Sequence, residues 1–267
     1  MFVLNQLSRL VEGIGKGATN LVEETGAIAQ FLGRALMAGL KPPFRFRLIL
    51  QQMEFVGVGS MFIVLLTGTF TGAVFTLQSI VALQRVGMES MVGSTVMLAV
   101  SRELAPVLTS LMVTGRVGSA MATELGTMRV TEQLDAMDVM AVDPMDYLIF
   151  PRVLAGAIMV PALTIIFDLV AVIGSFIVAV GVVGLDEGAF VARIQWYLDP
   201  FDFTHGLYKS IVFGLILTLV GCYKGYTAKG GARGVGIATT QAVVIGSISV
   251  FVVDYVLTSV LLMFVPE

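Results

Sequence analysis

Long apolar runs separated by short polar connectors dominate the chain, at about residues 55–78, 91–115, 147–184, 207–223 and 239–265. A helix that crosses a bilayer needs roughly 20 mainly apolar residues, so the pattern predicts an all-α membrane protein with about five spans. The third run, about 38 residues at 1.5 Å each, outruns a hydrocarbon core of about 30 Å. Its first part holds Pro151 and Arg152 and reads as an interfacial lead-in to a span over about 154–183. The fourth run is short, so that span begins a little before Tyr208 or reaches past Cys222.

The first 43 residues follow a different pattern. Leu7, Leu10, Val11 and Ile14 share one helical face, with Arg9, Glu12 and Lys16 elsewhere around it. Leu21, Ile28, Phe31, Leu32 and Leu36 repeat the arrangement. This periodicity predicts one or two amphipathic helices lying in the cytoplasmic membrane interface. A soluble helical hairpin is the alternative. Pro42 and Pro43 close the segment, since neither continues a helix from before it. The chain thus divides into an interfacial segment, 1–43, and a transmembrane domain, 44–267. The N-terminus lacks the continuous apolar core of a cleaved signal peptide.

Composition agrees with the pattern. The chain is 57% hydrophobic and 13% charged, with a mean hydropathy of +0.92, whereas soluble domains carry about 25% charged residues. The net charge of −3 comes without a long basic run, so no nucleic-acid partner is expected. One cysteine, Cys222, leaves no internal disulfide, and with one histidine, His205, no Cys/His metal site is expected.

Basic residues set the orientation. Arg9, Lys16, Arg34, Lys41, Arg45 and Arg47 precede the first span; Arg116, Arg129 and Arg152 lie between the second and third; Lys224, Lys229 and Arg233 lie between the fourth and fifth. These sides read as cytoplasmic, with the N-terminus inside. The opposite loops hold Arg85, Arg193 and Lys209 beside Asp186, Glu187, Asp199 and Asp202. Trp196, Tyr197, Phe201 and Phe203 in the outer loop 185–206 fit an interfacial aromatic belt or a surface for an extracytoplasmic partner.

Arg102 and Glu103 fall near the centre of the second span. Each costs roughly 2.5–3.5 kcal/mol at a helix centre on insertion scales, so each needs a partner or a wet cavity. Neighbours on a helix point about 100° apart, so they do not satisfy only each other. Asp254 in the fifth span and Asp168 in the third are the candidate acceptors for Arg102, with Asp254 favoured. The buried charge network Arg102, Glu103 and Asp254 serves either to lock helices together or to take part in transport. In the first span Gly68 and Gly72 form a GxxxG pair flanked by Thr67 and Thr71. It permits close helix approach or a broken, re-entrant segment. Gln78 at the outer end is a polar cap or a headgroup contact.

Residues 117–143 join the second and third spans and are neither membrane-like nor a short loop. Leu125, Met128, Leu134, Met137 and Met140 recur at three- or six-residue steps, and Glu124, Glu132, Asp135, Asp138 and Asp143 make the segment acidic. A methionine-rich face with an acidic rim suits docking into a groove on another protein. Packing on its own bundle satisfies the same periodicity.

The same region carries a family resemblance. Arg102-Glu-Leu-Ala-Pro106, Gly115-Arg-Val-Gly-Ser-Ala120, Glu124-Leu-Gly-Thr-Met128, Thr131-Glu-Gln133 and Met140-Ala-Val-Asp-Pro144 strongly resemble the signature of the MlaE/YrbE family of ABC permeases. That family serves the Mla and Mce lipid transport systems. Ala105 stands where the family usually has glycine, and Gly234–Thr240 lacks a basic residue found in some relatives. Plastid, actinobacterial and Gram-negative relatives share the signature, and a bacterial inner membrane is the expected home on base rates. The resemblance implies a homodimeric permease. It implies two cytoplasmic ABC ATPase subunits that bind the ATP, an Mce-domain protein on the outer face, in some systems a STAS-domain protein, and a phospholipid or other hydrophobic cargo. It makes 117–143 the coupling helix, with Glu124, Leu125, Gly126, Met128, Arg129, Glu132 and Asp143 facing the ATPase. On this reading lipid tails lie in a cavity at the dimer axis against Val64, Leu65, Phe70, Val74 and Leu77, with Gln78 at its end.

A membrane-embedded enzyme would need a nucleophile with a base, or metal ligands, at membrane depth. The sequence has no HExxH, GxSxG or P-loop, so the chain is expected to be non-catalytic. A stand-alone, ion-coupled secondary transporter is the alternative function.

Overall fold

The computed structural model describes residues 2–39 and 45–263, with the side chains of 2–18, 20, 21 and 262 left out. Lys41, Pro42, Pro43, the boundary at 43 and the apolar face of Leu7, Leu10, Val11, Ile14 and Leu21 therefore lie outside the described residues. Among the described residues all regular structure is helical, and five helical stretches are long and apolar enough to cross a membrane.

Helix α1 (Phe2–Gly39) is a single helix. Its Phe31 is buried against Tyr223 and Tyr226, with ring centroids 5.6 and 5.5 Å away. Glu24 forms an ion pair with Lys224. Leu36 is exposed and does not join this packed face.

The first span, Phe46–Gln84, consists of α2 (Phe46–Val56) and α3 (Val58–Gln84) meeting at Gly57. Buried residues of α3 recur every fourth position: Ser60, Val64, Gly68, Gly72, Thr76 and Ile80. This stripe faces the third span. A Cβ on Gly72 would strike the backbone carbonyl of Ala171, and Thr76 Oγ1 lies 2.6 Å from Ser175 Oγ. The GxxxG pair is thus a close-packing seam within one chain, and α3 runs through it unbroken.

The second span, Glu89–Val130, runs well beyond residue 115. It consists of α4 (Val92–Ala99), a π turn over Val100–Leu104, α5 (Ala105–Val113), a second π turn over Thr114–Gly118 and α6 (Ser119–Val130). Pro106 follows the first π turn; lacking an N–H and crowding the preceding turn, proline favours such widening. The short α7 (Gln133–Val139) comes next.

The third span is continuous over Met145–Val182 and contains α8 (Phe150–Phe176). The expected lead-in is therefore part of the same helix. Pro151 sits at the junction of the π turn Met145–Ile149 and α8, where the widened turn accommodates a residue without an N–H.

The expected outer loop 185–206 is largely helical. Asp186 caps α9 (Glu187–Tyr197) by accepting from Ala189 N at 2.7 Å. The fourth span, α10 (Pro200–Tyr226), starts with a reciprocal cap between Asp199 and Asp202. It thus begins early enough to take in His205 and Lys209. The fifth span lies in α11 (Gly231–Leu262). Gly156 of α8 and Gly214 of α10 approach so closely that a Cβ on either meets the other's carbonyl. The second and fourth spans are the most buried, the first and fifth the least.

Candidate functional site

The charged groups of the second span resolve into two clusters. Arg102 Nε donates to Asp202 Oδ1 at 2.6 Å. The other oxygen of Asp202 accepts from Asp199 N at 3.0 Å, so one buried carboxylate caps α10 and binds Arg102. The expected pairing of Arg102 with Asp254 or Asp168 does not occur. Asp202 lay outside the fourth apolar run, and the capped start of α10 carries it to the level of Arg102.

Glu103 points elsewhere on the same π turn. Lys209, fully buried, donates from Nζ to Glu103 Oε2 at 2.5 Å and to Thr258 Oγ1 at 2.7 Å. The same ammonium lies 3.0 Å from Asp254 Oδ1. Glu103 and Asp254 are therefore brought together through a lysine that the sequence reading placed outside the membrane. Asp202, His205 and Lys209 follow i, i+3, i+7 spacing on one face of α10, and both ring nitrogens of buried His205 lack a partner among the described residues. Asp168 is buried in α8 apart from both clusters, with Oδ1 unpartnered among the described residues.

The cluster joins the second, fourth and fifth spans. Removing one member of a buried ion pair costs about 3–5 kcal/mol, because the other charge is left uncompensated in low dielectric. The arrangement therefore fixes how these three helices meet.

An apolar cleft lies beside it. Phe70, Thr71, Val74, Phe75 and Gln78 of α3 face Leu104, the residue after Glu103, around about 430 Å³. Phe70, Val74 and Gln78 of the expected lipid cavity thus share one space. Leu65 and Leu77 are exposed on α3 but do not line it. Val64 is excluded: it is fully buried in the α3–α8 seam, four residues before Gly68. Along α11, Val244, Ile248, Phe251, Val252, Tyr255 and Val256 are exposed.

Residues 117–143 are not one helix. α6 continues the second span, the chain reverses at Thr131 and Glu132, and α7 follows. Glu132 sits at φ 60°, a left-handed conformation uncommon outside glycine. Leu125 and Leu134 are fully buried, Gly126 lies against Val235 and Ala228, and Met128 packs on the core. Leu125 and Gly126 thus face their own bundle, and Met128 packs partly against it. Glu124 pairs with buried Arg152 at 2.9 Å, Arg129 with Asp135 at 2.6 Å, and Asp143 Oδ1 accepts from Met145 N at 2.8 Å. What remains outward is the tip: Val139, 88% exposed, Met140, 66% exposed, and the exposed acids Glu132, Asp135 and Asp138.

Arg116, which the sequence offers for orientation and as part of the family signature, has a structural part that hydropathy does not show. From the second π turn its Nη1 donates to Phe55 O at 3.0 Å and Ser60 Oγ at 2.9 Å. Its guanidinium also stacks on the Phe55 ring, 5.2 Å from the centroid. It bridges the α2–α3 junction to the second span.

Comparison with known proteins agrees with this architecture. Over 252 residues the chain is 40% identical to a "Probable ABC transporter permease protein" of Rickettsia conorii, covering 94% of this chain and 97% of the relative. It is 36% identical over 254 residues to the "Intermembrane phospholipid transport system permease protein MlaE" of Haemophilus influenzae, with the same coverage of 94% and 97%. It is 41% identical over 227 residues to trigalactosyldiacylglycerol 1, chloroplastic, of Arabidopsis thaliana, covering 85% of this chain and 65% of that protein. The family described as Permease MlaE matches residues 49–260, most of the described transmembrane bundle, and the chain belongs to that family.

Proposed function

We propose that the chain is the membrane subunit of an ABC-type complex that moves phospholipid or a related hydrophobic lipid between the inner membrane and an Mce-domain partner. The observation that carries this reading is the apolar cleft of Phe70, Val74, Gln78 and Leu104, beside the Glu103–Lys209–Asp254 cluster built on the buried Lys209. An acyl chain matches such a lining, and the sparsely buried first and fifth spans leave room for a second copy of the chain to complete the cavity. The relatives' names, an ABC transporter permease and a phospholipid transport permease, support the same class.

In this reading two copies assemble with two cytoplasmic ATPase subunits, which bind and hydrolyse the ATP. A STAS-domain protein accompanies the ATPase in some such systems. The tip at Val139 and Met140 enters the ATPase. Its movement passes along α6, which is continuous with the second span, to Arg116 and so to the α2–α3 junction. The ion clusters hold the second, fourth and fifth spans in one of two arrangements. The N-terminus and α1 lie on the cytoplasmic side, with α1 in the membrane interface.

Purification from the native membrane in mild detergent tests the assignment. An ATPase, an Mce-domain protein and enriched phospholipid are expected to copurify. A chain that transports alone, without an ATPase, would refute it.

A further inference from the structure

A second amphiphilic site lies away from the cleft at Phe70 and Leu104, where α1 crosses the fourth and fifth spans. Ile28 of α1, Ile216, Leu219 and Val220 of α10 and Ile248 and Val253 of α11 are among the residues enclosing an apolar groove of about 350 Å³. The groove follows α11 from Ile245 to Val253, eight residues or about 12 Å, which is much of one leaflet's depth. At its α1 end it meets a polar pocket of about 210 Å³ holding Lys224, Thr227, Lys229 and Gln241. Glu24 lines both spaces, and its ion pair with Lys224 stands at their junction. Lys229 is exposed and makes no ion pair among the described residues. Two ammonium groups thus face one carboxylate, at the polar end of a slot sized for an acyl chain.

We infer that this groove holds one anionic phospholipid of the leaflet on the α1 side. Its phosphate is placed at Lys229 and Lys224, and a tail runs down α10 and α11. The lipid fills the space between α1 and the bundle and pins α1 to the fourth span. It is a resident lipid, separate from any cargo, and the site requires no ATP and no transport.

The test uses fluorescence in the purified full-length protein. Trp196, the sole tryptophan and 82% exposed, is replaced by phenylalanine, and Ile248→Trp places a reporter at the exposed edge of the groove. Nanodiscs of phosphatidylcholine carry a small fraction of brominated phosphatidylglycerol or, separately, brominated phosphatidylcholine. Ile173→Trp on the exposed face of α8 reports ordinary lipid contact. The site predicts that phosphatidylglycerol quenches Ile248→Trp several-fold more than phosphatidylcholine, with no preference at Ile173→Trp. Lys229→Gln should reduce the preference about fivefold, in line with the worth of one basic residue near an anionic surface. Equal quenching by both lipids overturns the inference, as does a preference unaffected by Lys229→Gln. Efficient disulfide cross-linking of Ile248→Cys between two copies also overturns it, because a second chain would then fill the groove. If Ile248→Trp misfolds, Leu219→Trp reports from the other wall.

Discussion

Lys209 and Glu103 lie 106 positions apart in sequence and meet at 2.5 Å inside the bundle. The ammonium is fully buried and also has Asp254 and Thr258 beside it. A charge at that depth is retained only where every helix around it keeps its position.

Lys209→Met is therefore expected to destabilise the protein, since it leaves Asp254 and Glu103 without their cation, but by less than the about 3–5 kcal/mol of a fully buried pair, because the Glu103 side chain is 40% exposed. Adding Glu103→Gln and Asp254→Asn removes the stranded charges and should recover most of the loss. Thermal unfolding in detergent reads both steps. A harmless Lys209→Met would show that the cluster does not hold the helices.

Asp202 serves two groups at once, and Arg102 serves one. Arg102→Ala should nevertheless cost more than Asp202→Ala, because it leaves the buried Asp202 carboxylate uncompensated, whereas Asp202→Ala leaves an Arg102 side chain that is 29% exposed. Equal losses in the two melting curves would mean that the burial of Asp202 carries no penalty.

At the α3–α8 seam, Gly72→Val drives a side chain into the backbone of Ala171. Both helices must separate, and yield in the membrane fraction should collapse. Gly33→Ala, where a Cβ meets nothing within 4 Å, should be neutral or stabilising by about 0.5–1 kcal/mol, the usual preference for alanine inside a helix. Immunoblots of membrane fractions distinguish the two variants.

The tip of residues 131–140 separates packing from docking. Val139→Glu and Met140→Glu alter only exposed positions, so melting should not change while the copurifying ATPase is lost. Leu125→Ala, in contrast, empties a buried site and should cost about 2–5 kcal/mol. ATPase retention in Val139→Glu would move the docking surface elsewhere.

Hydropathy made the spans legible, because twenty apolar residues have few other uses. It failed where helices extend past the apolar run. Asp202, His205 and Lys209 precede or interrupt the fourth run, so they read as loop residues although α10 begins at Pro200. Arg102 and Glu103 were recognisable as charges needing partners, but the partners depended on that boundary. The periodicity of Leu125, Met128 and Leu134 was equally readable as a docking face or a buried one. Only tertiary packing decided, and it turned that face inward. Val64 went wrong for the same reason: nothing in α3 alone says which side meets α8.

In the proposed function, lipid occupies the cleft at Phe70, Val74 and Leu104 during an ATP-driven cycle. The most direct measurement places a photo-cross-linking amino acid at Val74 in the complete complex, with radiolabelled phospholipid in the membrane and a control at exposed Ile173. The account predicts a lipid adduct at Val74 that changes several-fold between nucleotide-free and ATP-bound states, while labelling at Ile173 stays constant. No adduct at Val74, or one as insensitive to nucleotide as that at Ile173, would contradict it.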